Sequence, residues 1–169
     1  MEREHGFSLL EVLCATTILI IGLAALAQLL IVSTRVNVSA KTTTVATVAA
    51  AQKMEQLRSL TWGFDNLRLP LSETGLNPSP ADSLRRSVGG YCDFLDANGQ
   101  SLGDGAGPPP GTVYTRRWSI APLPDDPANT LVLQVLVTAR ANRVVDDTDG
   151  GRRLPDEARL VSVKTRKGR

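Results

Sequence analysis

A run of about twenty residues, 12–32, carries no charged side chain and consists almost wholly of Leu, Ile, Val and Ala. At roughly 1.5 Å of rise per residue, such a run crosses the apolar layer of a bilayer as one helix. Immediately before it stands Glu11. Across residues 7–34 the only ionisable groups are that carboxylate and the thiol of Cys14. The remainder of the 169 residues is polar and rich in Gly, Pro and charge. This split predicts a membrane anchor joined to a soluble head, not one domain with a continuous core.

Glu11 decides what kind of anchor this is. A carboxylate inside a spanning helix costs about 2.5–3.5 kcal/mol on insertion scales, and such residues usually have a partner and a purpose. A plain signal anchor gives it neither. A cleaved secretory signal would have a shorter apolar region and a small-residue cleavage site after it. Here the run is followed by Ser33-Thr34-Arg35-Val36, a poor match.

The stretch Gly6-Phe7-Ser8-Leu9-Leu10-Glu11-Val12-Leu13 resembles the processing site of type IV prepilins and pseudopilins. The resemblance implies that a prepilin peptidase cuts between Gly6 and Phe7 on the cytoplasmic side and methylates the new amine of Phe7. Met1 to Gly6 would then be a leader, and Glu11 the acid near the start of the mature chain. The chemistry agrees. Glycine before the scissile bond leaves a small, flexible backbone that a protease can extend. The cut creates a cationic amine within a turn of Glu11, at a helix N-terminus where negative charge is favoured. In the family the acid is thought to pair with the N-terminal amine of a neighbouring subunit, which makes it an assembly device. In low dielectric each charge needs the other.

Two features depart from the family pattern. The leader Glu2-Arg3-Glu4-His5 is not net positive, so the charge bias of the termini gives no orientation. No proline interrupts residues 7–69, whereas bulk pilins often have one midway along the span. The second feature favours a minor pilin or pseudopilin.

Beyond the span the helix is expected to continue to about Trp62, with Gly63 as its stop signal. Ala46, Ala50, Met54, Leu57 and Leu60 recur on one helical face and form a core stripe. Residues 69–111 are punctuated by Pro and Gly and read as mostly loop, with one or two short strands at most, one of them near 87–95. Residues 113–121, 131–141 and 160–165 read as three strands. Leu131, Leu133, Val135, Val137, Ala139 and Ala141 point one way. Tyr114, Trp118 and Ile120 share a face, though Arg116 has the same parity. Val161 and Val163 are the apolar residues of the third strand.

The expected fold class is therefore α+β and pilin-like: a long N-terminal helix, its first half transmembrane, its second half on an antiparallel sheet of three to four strands. The expected division is a leader over 1–6, the helix over 7–62 with its membrane segment at 7–34, and a head over 63–169. Within the head, 63–111 would be a variable loop and 112–169 the sheet. The stretch 114–120 also resembles minor pilins of the type IV pilus modification protein V group.

Enzyme signals are lacking. His5, the one histidine, would leave with the leader, so the mature chain has no Ser-His or Cys-His pair. No cofactor is implied. Two acid clusters raise calcium: Asp93, Asp96, Asn98 and Asp104, and Asp146, Asp147, Asp149, Asp156 and Glu157. Neither has EF-hand spacing. Cys14 and Cys92 belong to the anchor and the head and are expected not to pair. The net charge of +2 points to no partner, and the basic C-terminal end is a weak cue for nucleic acid.

The resemblance implies prepilin peptidase, other pilin-like subunits, inner-membrane lipid and the pilus assembly platform as partners. It places the chain in a bacterial inner membrane with a cytoplasmic N-terminus and a periplasmic head, and then in a filament. The reading is a minor subunit of a type IV pilus. The alternatives are a minor pseudopilin of a type II secretion system and a pilus-associated adhesin or DNA-binding subunit.

Overall fold

The computed structural model describes residues 8–105, 107–139 and 157–166. The chain divides into two compact units, one ending at Ala40 and the other beginning at Lys41. The described part of the first unit is almost entirely helix, the opening stretch of α1 (Leu9–Ser59). Its large apolar side chains are solvent-facing within the chain: Leu10, Ile18, Leu30 and Val32, among others, are more than half exposed. The helix is long and apolar enough to cross a membrane. Three of its threonine hydroxyls are satisfied within the helix, as lipid demands. Thr16 and Thr17 donate to carbonyls of Val12 and Leu13, and Thr34 donates to Leu30.

In the second unit α1 buries Ala46, Ala49, Ala50, Met54 and Leu57, with Leu60 partly buried behind them. The expected stripe is the core face, with Ala49 added to it. Three alanines at 2% exposure or less bring the helix close to the sheet. The helix ends at Ser59, and Gly63 is not its stop. Gly63 lies in the middle of β1 (Trp62–Phe64), whose partner is β2 (Pro70–Ser72). Asp65 closes this hairpin by accepting the N–H groups of Leu67 and Leu69. A short 3₁₀ turn, Thr74–Leu76, follows.

The main sheet has β3 (Cys92–Leu95), β4 (Ser101–Gly103), β5 (Tyr114–Pro122), β6 (Thr130–Thr138) and β7 (Glu157–Thr165) in the order β4-β3-β5-β6-β7, every pairing antiparallel. The meander β5-β6-β7 agrees with the pattern in the sequence, and the α+β, pilin-like class stands. The expected strand count of three to four was too low. The described residues hold a five-stranded sheet and a separate two-stranded one. The shortfall has a physical source. Strands β1, β2 and β4 are three residues long and contain Gly63, Pro70 or Gly103, too short for any alternation. Pairing forms them, not propensity.

The helix-facing side carries Leu131, Leu133, Val135 and Val137 from β6 and Tyr114, Trp118 and Ile120 from β5, all 7% exposed or less. Full burial of each such aliphatic side chain contributes roughly 1.5–3 kcal/mol. Ala141 and residues 142–156 lie outside the described residues. The outer side is covered as well, which the sequence reading did not anticipate. Residues 79–91 lie against it, with Ser79 bonded to Ser119 and Ile120, and Ser83, Cys92, Phe94 and Leu136 are buried there. Val161 and Val163 face this outer side at the β7 end of the sheet and are 61% and 58% exposed. They are not core residues.

Candidate functional site

Glu11 sits in the first turn of α1, where its negative charge opposes the positive end of the helix dipole. The backbone N–H groups of Glu11 and Val12 both close on the carbonyl of Ser8. The Glu11 side chain is exposed, and among the described residues no ion pair reaches it. Gly6 and Phe7 lie outside the described residues. A carboxylate at the head of an exposed apolar helix is therefore without a counter-charge from the described part of its own chain.

The head contains a second charged group, fully internal. Arg116 and Asp93 face each other on β5 and β3, in direct register on the helix side of the sheet. The guanidinium grips the carboxylate through two bonds, Nε to Oδ1 at 2.9 Å and Nη2 to Oδ2 at 2.5 Å. Its Nη1 donates to the backbone carbonyl of Ala49 on α1 at 3.0 Å. Both side chains are about one-tenth exposed. One arginine thus ties two strands and the helix together. The close approach of the helix at its alanines is what puts the Ala49 carbonyl in reach.

Lys53 lies 3.6 Å from the centre of the Trp118 ring. Burial lowers its pKa, and the nearby Asp93 carboxylate works the other way. At the helix end, Lys164 of β7 donates to the carbonyl of Arg58. These contacts fix the second half of α1 to the sheet.

The neighbouring residue in β5, Arg117, points to the opposite side, as strand alternation requires. It is 2% exposed. Its Nη2 reaches the Ser87 hydroxyl at 3.4 Å, while Nε and Nη1 find no partner among the described residues. Burial lowers its pKa. Cys92 lies beside it in register, a free thiol whose pKa burial raises.

Two acids of the first cluster considered for calcium have other partners. Asp93 belongs to Arg116. Asp96 accepts the N–H groups of Asn98 and Gln100 and so shapes its own turn. Among the described residues no three His, Cys, Asp or Glu side chains gather about a point. Of the second cluster only Glu157 is described. The one cue to the Arg116–Asp93 pair in the sequence was the core-facing parity of Arg116, which demands a buried counter-charge. Nothing in the sequence marked Arg117 as buried.

Comparison with known proteins bears on the N-terminus. Residues 1–27 match the model of the prokaryotic N-terminal methylation motif, the prepilin-type signature. No curated protein and no solved structure matches the chain. The motif spans Gly6, Phe7, Glu11 and the first part of the apolar helix. It supports a structural subunit of the type IV pilin or pseudopilin kind, and it implies processing by prepilin peptidase and assembly with other pilin subunits. With the apolar helix it fits a pilin anchored in the inner membrane.

Proposed function

We propose that this chain is a minor subunit of a type IV pilus or pilus-like assembly, cut between Gly6 and Phe7 and drawn into a helical filament or its initiating complex. The observation that carries the reading is the match over residues 1–27 taken together with Glu11, an acid with no described partner heading an apolar helix. The new amine of Phe7 on one subunit supplies the charge that Glu11 on another lacks. Pairing offsets the cost of both in a low-dielectric filament core and sets the axial register between subunits.

The unbroken α1, with no proline from Leu9 to Ser59, supports a minor over a bulk role. The subunit is inserted with its N-terminus in the cytoplasm and its head in the periplasm, where the head touches other minor subunits. It performs no catalysis and needs no cofactor. A pseudopilin of type II secretion shares the N-terminal chemistry, and neighbouring genes for a pilus motor or a secretion channel separate the two.

Glu11→Ala tests the pairing role. The variant should be cleaved normally and reach the membrane, since the apolar span is intact. Its amount in filaments sheared from cells should fall at least about tenfold, the equivalent of about 1.4 kcal/mol of subunit contact. Incorporation at the wild-type level would refute the role.

A further inference from the structure

The two edges of the main sheet are treated differently. At one edge β4 is three residues long, ends at Gly103 with φ 113°, and pairs with β3 through a shifted register. Short, irregular edges of this kind resist pairing with other chains. At the other edge β7 runs nine residues, with no proline and an unbroken register against β6.

The ladder fixes which backbone groups of β7 face outward. Arg166 donates its N–H to Asn129, so this pair is a hydrogen-bonded one. Antiparallel pairs alternate between bonded and non-bonded. Lys164, Ser162, Leu160 and Ala158 therefore bond to β6. Arg159, Val161, Val163 and Thr165 turn their N–H and C=O groups away from it. Among the described residues no strand pairs with that side.

The side chains beside this edge add a chemical preference. Val161 and Val163 stand exposed. Next to Val163 an open groove of about 530 Å³ runs along β1, with Leu60, Trp62 and Phe64 in its walls and, among the described residues, Arg58 and Lys164 as its charged lining. Arg159 donates to Gln134. Arg166 donates to the carbonyls of Ala128, Gly63 and Leu71 while lying 3.7 Å from the Trp62 ring centre. Neither arginine makes an ion pair among the described residues. They stand seven positions apart, about 23 Å along a strand.

We propose that β7 is a docking edge for an extended, acidic segment of a partner subunit, which adds a sixth strand beyond β7. Its backbone bonds to Val161 and Val163, its apolar side chains cover those two valines and enter the groove at Phe64, and acids near its ends meet Arg159 and Arg166. The partner class rests on the subunit reading above. The site itself uses neither Gly6 nor Glu11, so either idea can fail without the other.

The test uses the full chain in detergent micelles and two synthetic nine-residue peptides of alternating Val and Thr, one flanked by Asp and Glu and the other by Lys. The acidic peptide should slow hydrogen exchange of the Val161 and Val163 amides at least tenfold, and added salt should weaken the effect. The Lys-flanked peptide should bind at least tenfold more weakly. Val163→Pro removes an outward N–H without breaking the β6 ladder, and it should lose the protection. Val163→Thr should keep it, which separates loss of the site from loss of fold. Equal protection by both peptides, or none at millimolar peptide, would overturn the proposal. So would protection that arises from raising the protein concentration alone, since the edge would then belong to a second copy.

Discussion

Arg116→Ala should lower the melting temperature of the head by on the order of 10 °C. The substitution removes both bonds to Asp93 and the bond to the Ala49 carbonyl. It leaves a carboxylate that is nine-tenths buried without its counter-charge. Breaking a buried pair from one side typically costs about 3–5 kcal/mol, because the orphaned charge keeps its desolvation penalty. For a domain of this size each kcal/mol is worth a few degrees. Removing both charges should be milder. Arg116→Met combined with Asp93→Leu should recover much of the loss, since an apolar pair of similar volume carries no desolvation cost. Thermal unfolding followed by near-ultraviolet circular dichroism reads both variants. A single variant melting within 2–3 °C of wild type, roughly one kcal/mol, would show that the pair does not fasten α1 to the sheet.

That pair also marks how far the sequence could be read. The helix and β5, β6 and β7 were legible because each has a period: apolar residues every three or four positions in the one, every second position in the others. The periodicity placed Ala46, Met54, Leu133 and Val135 in the core. It failed at β1, β2 and β4, where three residues hold no pattern and the strand exists only through its partner. It also left open which side of β7 is buried. Apolar residues in a strand need not face the core, and here the buried parity of β7 belongs to Ala158 and Leu160, which share a side with Val137 and Val135.

Charged residues were harder still. Arg116 broke the alternation of β5, and only its register opposite Asp93 explains why. Arg117 carries no local cue to burial, yet the segment 79–91 folds over the outer side and encloses it. Long-range coverage of that kind leaves no local trace. The N-terminal signature is the opposite case. Its chemistry sits in six consecutive residues from Gly6 to Glu11, so the resemblance to the prepilin processing site is visible in one short stretch.

Gly6→Val should leave the leader attached in nearly all of the protein. Glycine at the scissile bond offers backbone freedom and no side-chain bulk. A β-branched residue restricts the backbone and places two methyl groups where the peptidase must draw the chain into extended form. A penalty of about 1.4–2.8 kcal/mol in the transition state slows cleavage roughly ten- to a hundredfold. Without the cut, the amine stays six residues away at Met1 and cannot meet the Glu11 of another subunit. The variant should therefore remain in the membrane and be absent from filaments. Gly6→Ala, with one small methyl, should be cut at an intermediate rate. Normal processing of the valine variant would mean that the bond after Gly6 is not the one cleaved.

The pilin-type subunit reading hangs on the identity of the mature N-terminus. Intact-mass and N-terminal fragment spectrometry of the chain extracted from its native membrane reads this directly. The predicted species begins at Phe7, with one methyl group on its amine and the first six residues gone. A chain that still begins at Met1 would contradict the account, since Glu11 would then have no neighbouring amine to receive.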